Sequence, residues 1–575
     1  MSSLAHTVET QASHPQDDGT SNGRSIQLLP AELLVEIFLC VNAMTMTALV
    51  EDAEWNDFRP ENPAPSSAFT EGPPPCWYLS HVCQRWRQLA IQCSALWSNL
   101  PRRSPEWSRI CLERCAKAPV HLCIEAWAGT KLYDEFDQSH MYPFITRAHT
   151  IRMDYIRRGG LLGWNTWPDD RRMMDILQAL TLHGTPDLRI LELKHRLDGS
   201  HRVRTPMALP DLNHGQTLSK LHTILLEGFT LPRDVPTDAL FSSSITSLGL
   251  ANCLMWRNLD EMTQVLLAMP FLEDLTYINF EMSTRPLTPL PPTSSLRSIS
   301  LPRINHLDLE ADAQEVASIF ALLEIPTGPD VWLMIMHTDY TEMHIQEGGP
   351  SGIGPYMDLA ASAVQAHFSA MPDKAFIYPR VGLFYNWING YLSDSDEEST
   401  VSVQMPYTGP HEARVASFLT YFQLPVFSRT TRLHIENMLD GFSVAELACH
   451  FMEVRDLQLH NEAAVVFWGG LTGTAVNDSQ PASEPCKPFP ALARIRIAGF
   501  DFVKWPGTCV DETNVPHDFA ALLAEALCVA YTPLETFEHV AFTGCTMRED
   551  DGGLFEQMLG VERVRIEDVG TLAAT

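Results

Sequence analysis

Ten short runs approximating apolar-x-x-apolar-x-apolar recur along this 575-residue chain, and no other feature constrains its fold as much. They read LRILEL (188–193), LHTILL (221–226), ITSLGL (245–250), LEDLTY (272–277), LRSISL (296–301), INHLDL (304–309), TTRLHI (430–435), VRDLQL (454–459), LARIRI (492–497) and VERVRI (561–566). The last two apolar positions of each run alternate with period two, the mark of a short half-buried strand. Counted from the fourth residue of each, neighbours stand 33 (191 to 224), 24 (224 to 248), 27 (248 to 275) and 24 (275 to 299) residues apart. Farther on the spacings are 24 (433 to 457) and 38 (457 to 495). A single unit of this size cannot bury its apolar side alone, so units repeated at such a period stack on one another.

Helix-like segments lie between the runs: LDEMTQVLLAMP before LEDLTY, SVAELACHFME before VRDLQL, and HDFAALLAEALCVAYTP before LETFEHVAF. The expected class is therefore α/β, an irregular solenoid of short parallel strands joined by helices, with the strands on its concave side. Residues between the buried strand positions, such as Glu192, Gly249, Thr276 and Ser300, are expected on that face as contacts for a partner. The rhythm is least legible between about 310 and 430. VWLMIMHTD and RVGLFYNW are strand-like there, as two further repeats or as the lead-in to a second solenoid starting near 430.

The N-terminal part follows another rule. Pro30 suits a first helical turn, where its missing N–H has no intrahelical partner to lose. Leu33, Leu34, Ile37, Phe38 and Val41 then repeat at helical spacing. An acidic stretch at about 50–75 with six prolines (Pro60, Pro63, Pro65, Pro73, Pro74, Pro75) reads as a loop or disordered insertion. WYLSHVCQRWRQLAIQ resumes the helical period, with Leu79, Val82, Cys83, Trp86, Leu89 and Ala90 on one face and Arg85 and Arg87 opposite. SALWSNLP closes the unit.

The ordered set LPAELLVEIF, LSHVCQRWRQLA and LWSNLP resembles the F-box motif, over residues 28–101. The insertion of roughly 30 residues between its first two helices departs from the family pattern, though loop-closure entropy grows only logarithmically with length. The later runs resemble the degenerate leucine-rich repeats that follow many F-boxes, fungal ones included. The Asn or Cys that normally follows each strand is found here only as Cys253, other repeats offering Phe229, Phe280, Ile304 and Phe500. The resemblance implies a small helical module docking the Skp adaptor, and through it cullin, by Leu29, Pro30, Leu33, Ile37, Phe38, Val82, Cys83, Trp86 and Leu89. It further implies a repeat region that holds a protein substrate for ubiquitination, so that the chain is a non-enzymatic receptor. A scaffold that binds partners without joining a ligase needs the same docking face. The implied organisation is a disordered tail (1–24), an F-box (25–101) and a solenoid (102–575), with loops near 393–400 and 476–488.

Composition narrows the partners. Forty Lys and Arg against 71 Asp and Glu give a net charge of −31, which repels nucleic-acid phosphates. The stretch RRSPEWSRICLERCAK (102–117) reads as a solvated helix face, not a basic patch. The polar N-terminus lacks the apolar core of a secretory signal, and no apolar run is long enough to span a bilayer. Thirteen scattered cysteines within apolar patterns suit a reducing compartment, the cytoplasm or nucleus.

No catalytic or metal-ligating constellation stands out, and no cofactor is implied. GGPSGIGP (348–355) has no Lys-Ser/Thr after it and reads as an irregular turn. Cys111 and Cys115 lack a second Cys/His pair, and His450 beside Cys449 reads as a helix end. No G-x-S-x-G elbow occurs. Ser393 and Ser395 in SDSDEEST stand before acids, as acid-directed kinases require; each phosphate would add about −1.5 to −2 charge.

Overall fold

A computed structural model describes residues 29–42, 74–100, 105–127, 142–158, 171–198, 206–212, 218–235, 237–279, 298–326, 330–335, 354–369, 377–384, 387–393, 400–404, 424–436, 444–472, 489–503, 519–567 and 570–572. The expected tail, nearly all of the insertion, Ser395, Phe280 and the loop at 476–488 lie outside them. The chain forms two compact units, Met1–Pro119 and Val120–Thr575.

The first unit is helical. Its described helices are α1 (31–42), α2 (Pro75–Leu79), α3 (Gln84–Gln92) and α4 (Pro105–Arg114), with a 3-10 turn at Ser94–Trp97. The stretch predicted as one helix from Trp77 is two. Pro75 opens α2 and Ser80 ends it, while Cys83 is extended (φ −157°) and caps α3 by accepting from the Trp86 N–H at 3.5 Å. Val82 and Cys83 therefore stand in the connection between helices. Leu34 and Phe38 of α1 are fully buried, the Phe38 ring centroid 4.7 Å from that of Trp86. The Arg85 guanidinium donates to the Leu29 carbonyl at 2.6 Å and ties the start of α1 to α3. Trp97 is buried, donates from Nε1 to the Ala90 carbonyl at 2.7 Å and carries Arg114 over its ring. Helix α4 thus packs within this unit, which continues beyond residue 101. Its Cys111 and Cys115 are buried while Arg109 and Glu113 pair on the exposed side at 3.0 Å.

The second unit is α/β around one sheet of 16 strands. They are β1 (Val120–Trp127), β2 (Ala148–Arg158), β3 (Ile190–Asp198), β4 (Thr223–Glu227), β5 (Ser247–Ala251), β6 (Asp274–Ile278), β7 (His306–Ala311) and β8 (Asp330–Ile335). There follow β9 (Arg380–Phe384), β10 (Trp387–Tyr391), β11 (Val401–Gln404), β12 (Arg432–Glu436), β13 (Asp456–His460), β14 (Arg494–Ala498), β15 (His539–Thr543) and β16 (Val564–Glu567). Neighbours pair in parallel and in chain order except at the middle, where β8 pairs with β11, then β10, then β9, which pairs with β12. The β9–β10 and β10–β11 pairs are antiparallel.

The stretch RVGLFYNW thus contributes β9 and the start of β10, not one repeat strand. Because β9 pairs with β12 over five residues, no separate sheet begins near 430. LRSISL also departs from expectation. Its strand, Ile299–Ser300, pairs with Leu323–Glu324 in a separate two-stranded sheet, so the step from Leu275 on the main sheet goes to Leu307.

Register explains the runs. Leu191, Ile224, Leu248, Leu275 and Leu307 face one another across successive strands, as do Leu193, Leu226, Leu250, Tyr277 and Leu309, and all are buried. The pattern continues through Leu433, Leu457, Ile495 and Val540. Among the helices of this unit are α5 (Arg171–His183), α6 (Leu259–Leu267), α7 (Ala313–Leu322), α8 (Gly354–Ser369), α9 (Val444–His450), α10 (Ala463–Thr472), α11 (Phe519–Tyr531) and α12 (Glu549–Leu559). Asn258 and Asp312 cap α6 and α7, each accepting an N–H at 2.9 Å. Gly354 and Pro355, predicted in an irregular turn, open α8 instead, where a first-turn proline loses no hydrogen bond.

Five strands end in the same left-handed residue: Gly228, Asn252, Asn461, Gly499 and Gly544, all with φ between 50° and 76°. Gly228 and Asn252 donate their N–H to the last residue of the next strand, at 2.9 and 2.6 Å. At the next residue a Cys stands in two of the five. Cys253 donates to the Leu226 carbonyl at 3.3 Å, and Cys545 does the same to Ile497 at 3.4 Å. Elsewhere Phe229, Phe500 and Ile304 fill the interior, all buried.

Candidate docking surfaces

Helix α1 carries more apolar side chains than it buries. Leu34, Phe38 and Asn42 point inward, whereas Leu33, Ile37 and Val41 form an i, i+4, i+8 stripe that is 51, 37 and 41% exposed. Val82 is 60% exposed. Large aliphatic groups aligned in water along one helix face are the kind of surface a partner covers. Of the sequence-predicted docking residues, Leu33, Ile37, Val82 and Pro30 are exposed, and Leu29, Cys83, Trp86 and Leu89 are half-buried. Phe38 is fully buried against Trp86 and offers no surface, because at the core side of α1 it is consumed in joining α1 to α3. In the same unit burial pushes the Cys76 thiol up to about 12, so it behaves as an apolar group.

The second surface is the face of the sheet opposite the two buried rows. Residues alternating with those rows align across it through strand register, from Arg152 and Glu192, paired at 3.0 Å, to Gly249, Thr276 and Asp308. Of the predicted contact residues, Glu192 and Thr276 are half-buried on this face, and Gly249 is buried on it. Ser300 is exposed but belongs to the small sheet, so it is not on this face. Ser393 is half-buried at the end of β10.

Charged groups cluster at two places on the face. On β6 and β7 stand Asp274, Asp308 and Glu310; burial pushes Asp308 up to about 6, and burial followed by the charge of Asp308 pushes Glu310 up to about 7. On the other side Asp456 joins Arg432 at 3.2 Å and Arg494 at 2.8 Å. Arg496 and Arg565 follow on β14 and β16.

Between the two lie aromatic groups. Trp332 and Trp387 meet with centroids 5.0 Å apart, and the Phe384 ring lies 4.9 Å from that of His434. Phe384 folds over Gly382, where a Cβ would come within 2.3 Å of the ring, so the glycine is what lets Phe384 reach His434. The His434 ring centroid in turn lies 4.5 Å from that of His460, and one ring nitrogen of each histidine and a carboxylate oxygen of Glu436 come within 4.8 Å of one another. This grouping escaped the sequence reading, because His434 and His460 are 26 positions apart and only strand pairing makes them neighbours. The period-two signal H-I-E was visible, but not its partner.

Among the described residues no helix is long and apolar enough to cross a membrane. No protein-family model matches this chain, and no curated protein shows significant similarity to it.

Proposed function

We propose that this chain is the substrate-recognition subunit of a Skp–cullin–F-box ubiquitin ligase. Its first unit is an F-box that docks the Skp adaptor, and its second is a degenerate leucine-rich-repeat solenoid that holds a protein substrate. The reading rests on the ordered motifs LPAELLVEIF, LSHVCQRWRQLA and LWSNLP. The observation that carries it is the exposed stripe Leu33, Ile37 and Val41, because a helix with a satisfied inner face has no use for three solvated aliphatics unless something covers them. The repeat reading is supported by parallel strands that follow chain order, by helices between them and by the recurrent left-handed strand ends. In this role the protein makes and breaks no bond. It raises the local concentration of a substrate lysine near a charged conjugating enzyme, and the cytoplasm or nucleus is where it acts.

The test is affinity capture of the tagged chain beside Leu33→Ala/Ile37→Ala/Val82→Ala, three surface changes that leave the Phe38–Trp86 contact intact. The wild type brings down Skp adaptor and cullin, and the triple variant loses both while its circular dichroism is unchanged. Capture of adaptor without cullin would favour a scaffold outside any ligase; capture of neither would remove the F-box reading.

A further inference from the structure

We propose that His434, Glu436 and His460 form a binding site for a divalent transition-metal ion, with zinc the cation that best fits their donor set. His434 and Glu436 are two apart on β12 and so project from the same face of the strand. Glu436 is the register partner of His460 on β13, and His434 that of Gln458. Adjacent strands lie about 4.8 Å apart, so the three side chains stand at three corners of one small rectangle. One ligand atom from each lies within 4.8 Å of the other two. Zinc bonds of about 2.0–2.2 Å need tetrahedral neighbours roughly 3.4 Å apart, which small side-chain rotations supply.

The state of His434 points the same way. Both of its ring nitrogens are buried, and neither has a hydrogen-bond partner among the described residues. Buried polar atoms are nearly always paired, and a cation held with the neighbouring imidazole and carboxylate would pair a His434 nitrogen.

Surrounding groups suit a ligand site. Gln458 Nε2 lies 2.7 Å from His460 Nε2; with the amide turned end for end its oxygen would accept the Nε2–H, as outer partners of metal-bound histidines do, and leave Nδ1 for the ion. Phe384 covers one side of His434. Arg380 and Arg496 are the charges that oppose a cation, but the Arg380 guanidinium rests on the Tyr391 ring at 4.4 Å, and Glu436 supplies a compensating carboxylate. Two nitrogens and one oxygen select zinc, cobalt or nickel over magnesium and calcium, which take oxygen ligands. Three protein ligands leave the fourth tetrahedral position to water or to a side chain of a docked protein.

The full chain, stripped with a chelator and dialysed, is titrated with Zn²⁺ by calorimetry and with Co²⁺ by visible absorption. Binding is expected at one equivalent for this site, with the intense visible bands of four-coordinate Co²⁺. His434→Ala, Glu436→Gln and His460→Ala should each weaken it by about 100-fold or more, ligand loss costing at least as much as loss of an outer partner. His450→Ala and Cys449→Ala, on α9, should leave it unchanged. Glu436→Gln preserves shape, and unaltered circular dichroism of that variant separates ligand loss from misfolding. Absence of binding, or affinity indifferent to Glu436→Gln and His460→Ala, overturns the proposal and leaves the histidines as a packing pair. The readout is independent of adaptor capture, so either proposal can fail without the other.

Discussion

Asp308 and Glu310 project two apart from β7 into the polar face, and each carries a carboxyl that burial makes reluctant to ionise. Asp308 Oδ1 is buried without a hydrogen-bond partner, which accounts for the direction. The folded pKa of about 6 lies above the ordinary 3.8, so the folded chain holds this proton longer than the unfolded one. Stability from the neutral form is therefore complete below about pH 4 and is lost as pH rises through about 6. Asp308→Asn should raise stability by about 1–3 kcal/mol at pH 8 and by almost nothing at pH 4. Urea unfolding of both proteins at the two pH values checks this, and an equal effect at both would mean that Asp308 is solvated. Glu315 shows the opposite solution to burial. It accepts from Tyr277 Oη at 2.7 Å and Asn279 Nδ2 at 2.8 Å, so its carboxyl group is satisfied inside the core. Neither environment is legible from the residue itself, since each depends on which strand or helix stands opposite.

The strand with its left-handed end is the recurring element, and its chemistry is only partly a matter of residue type. Gly228 has φ 76°, and a Cβ there would come 2.6 Å from the His195 carbonyl oxygen of the preceding strand. Asn252, at the equivalent place, tolerates φ 52° with a side chain. Gly228→Ala should cost about 2–3 kcal/mol from strain and collision together, whereas Asn252→Gly should change stability by under about 1 kcal/mol. Thermal melts of the two variants distinguish these outcomes. The segments between runs mark α6, α9 and α11, whereas α5 is as amphipathic as α6 yet lies ahead of the first run, with none before it to flag it. Helix α10, AAVVFWGGLT, was not legible, because it is apolar all round and buries seven of its ten residues, which erases the period. The strand at Ile299–Ser300 was misplaced for a related reason: its alternation is that of any half-buried strand, and nothing local says which sheet it joins.

Across the second unit one sheet runs from β1 to β16, and the antiparallel β9–β10–β11 segment is inserted into it without interrupting it. β12 depends on β9 for one whole side of its hydrogen bonding. A fragment comprising residues 424–575 exposes that edge, and an open edge invites pairing with another chain. It should elute as oligomers or aggregate under conditions where the full chain is monodisperse. A stable monomeric fragment would show that β12 needs no neighbour. The α/β class, the alternation of buried and exposed strand positions, the helical first unit and the acidic surplus were all determined by the sequence alone, because each depends on local periodicity or on counting. Strand register, the reversed order at the centre, the burial of Phe38 and the meeting of His434 with His460 were decided only by tertiary structure. Each joins residues far apart in the chain, and pairing energy between such residues leaves no mark on the local pattern of either.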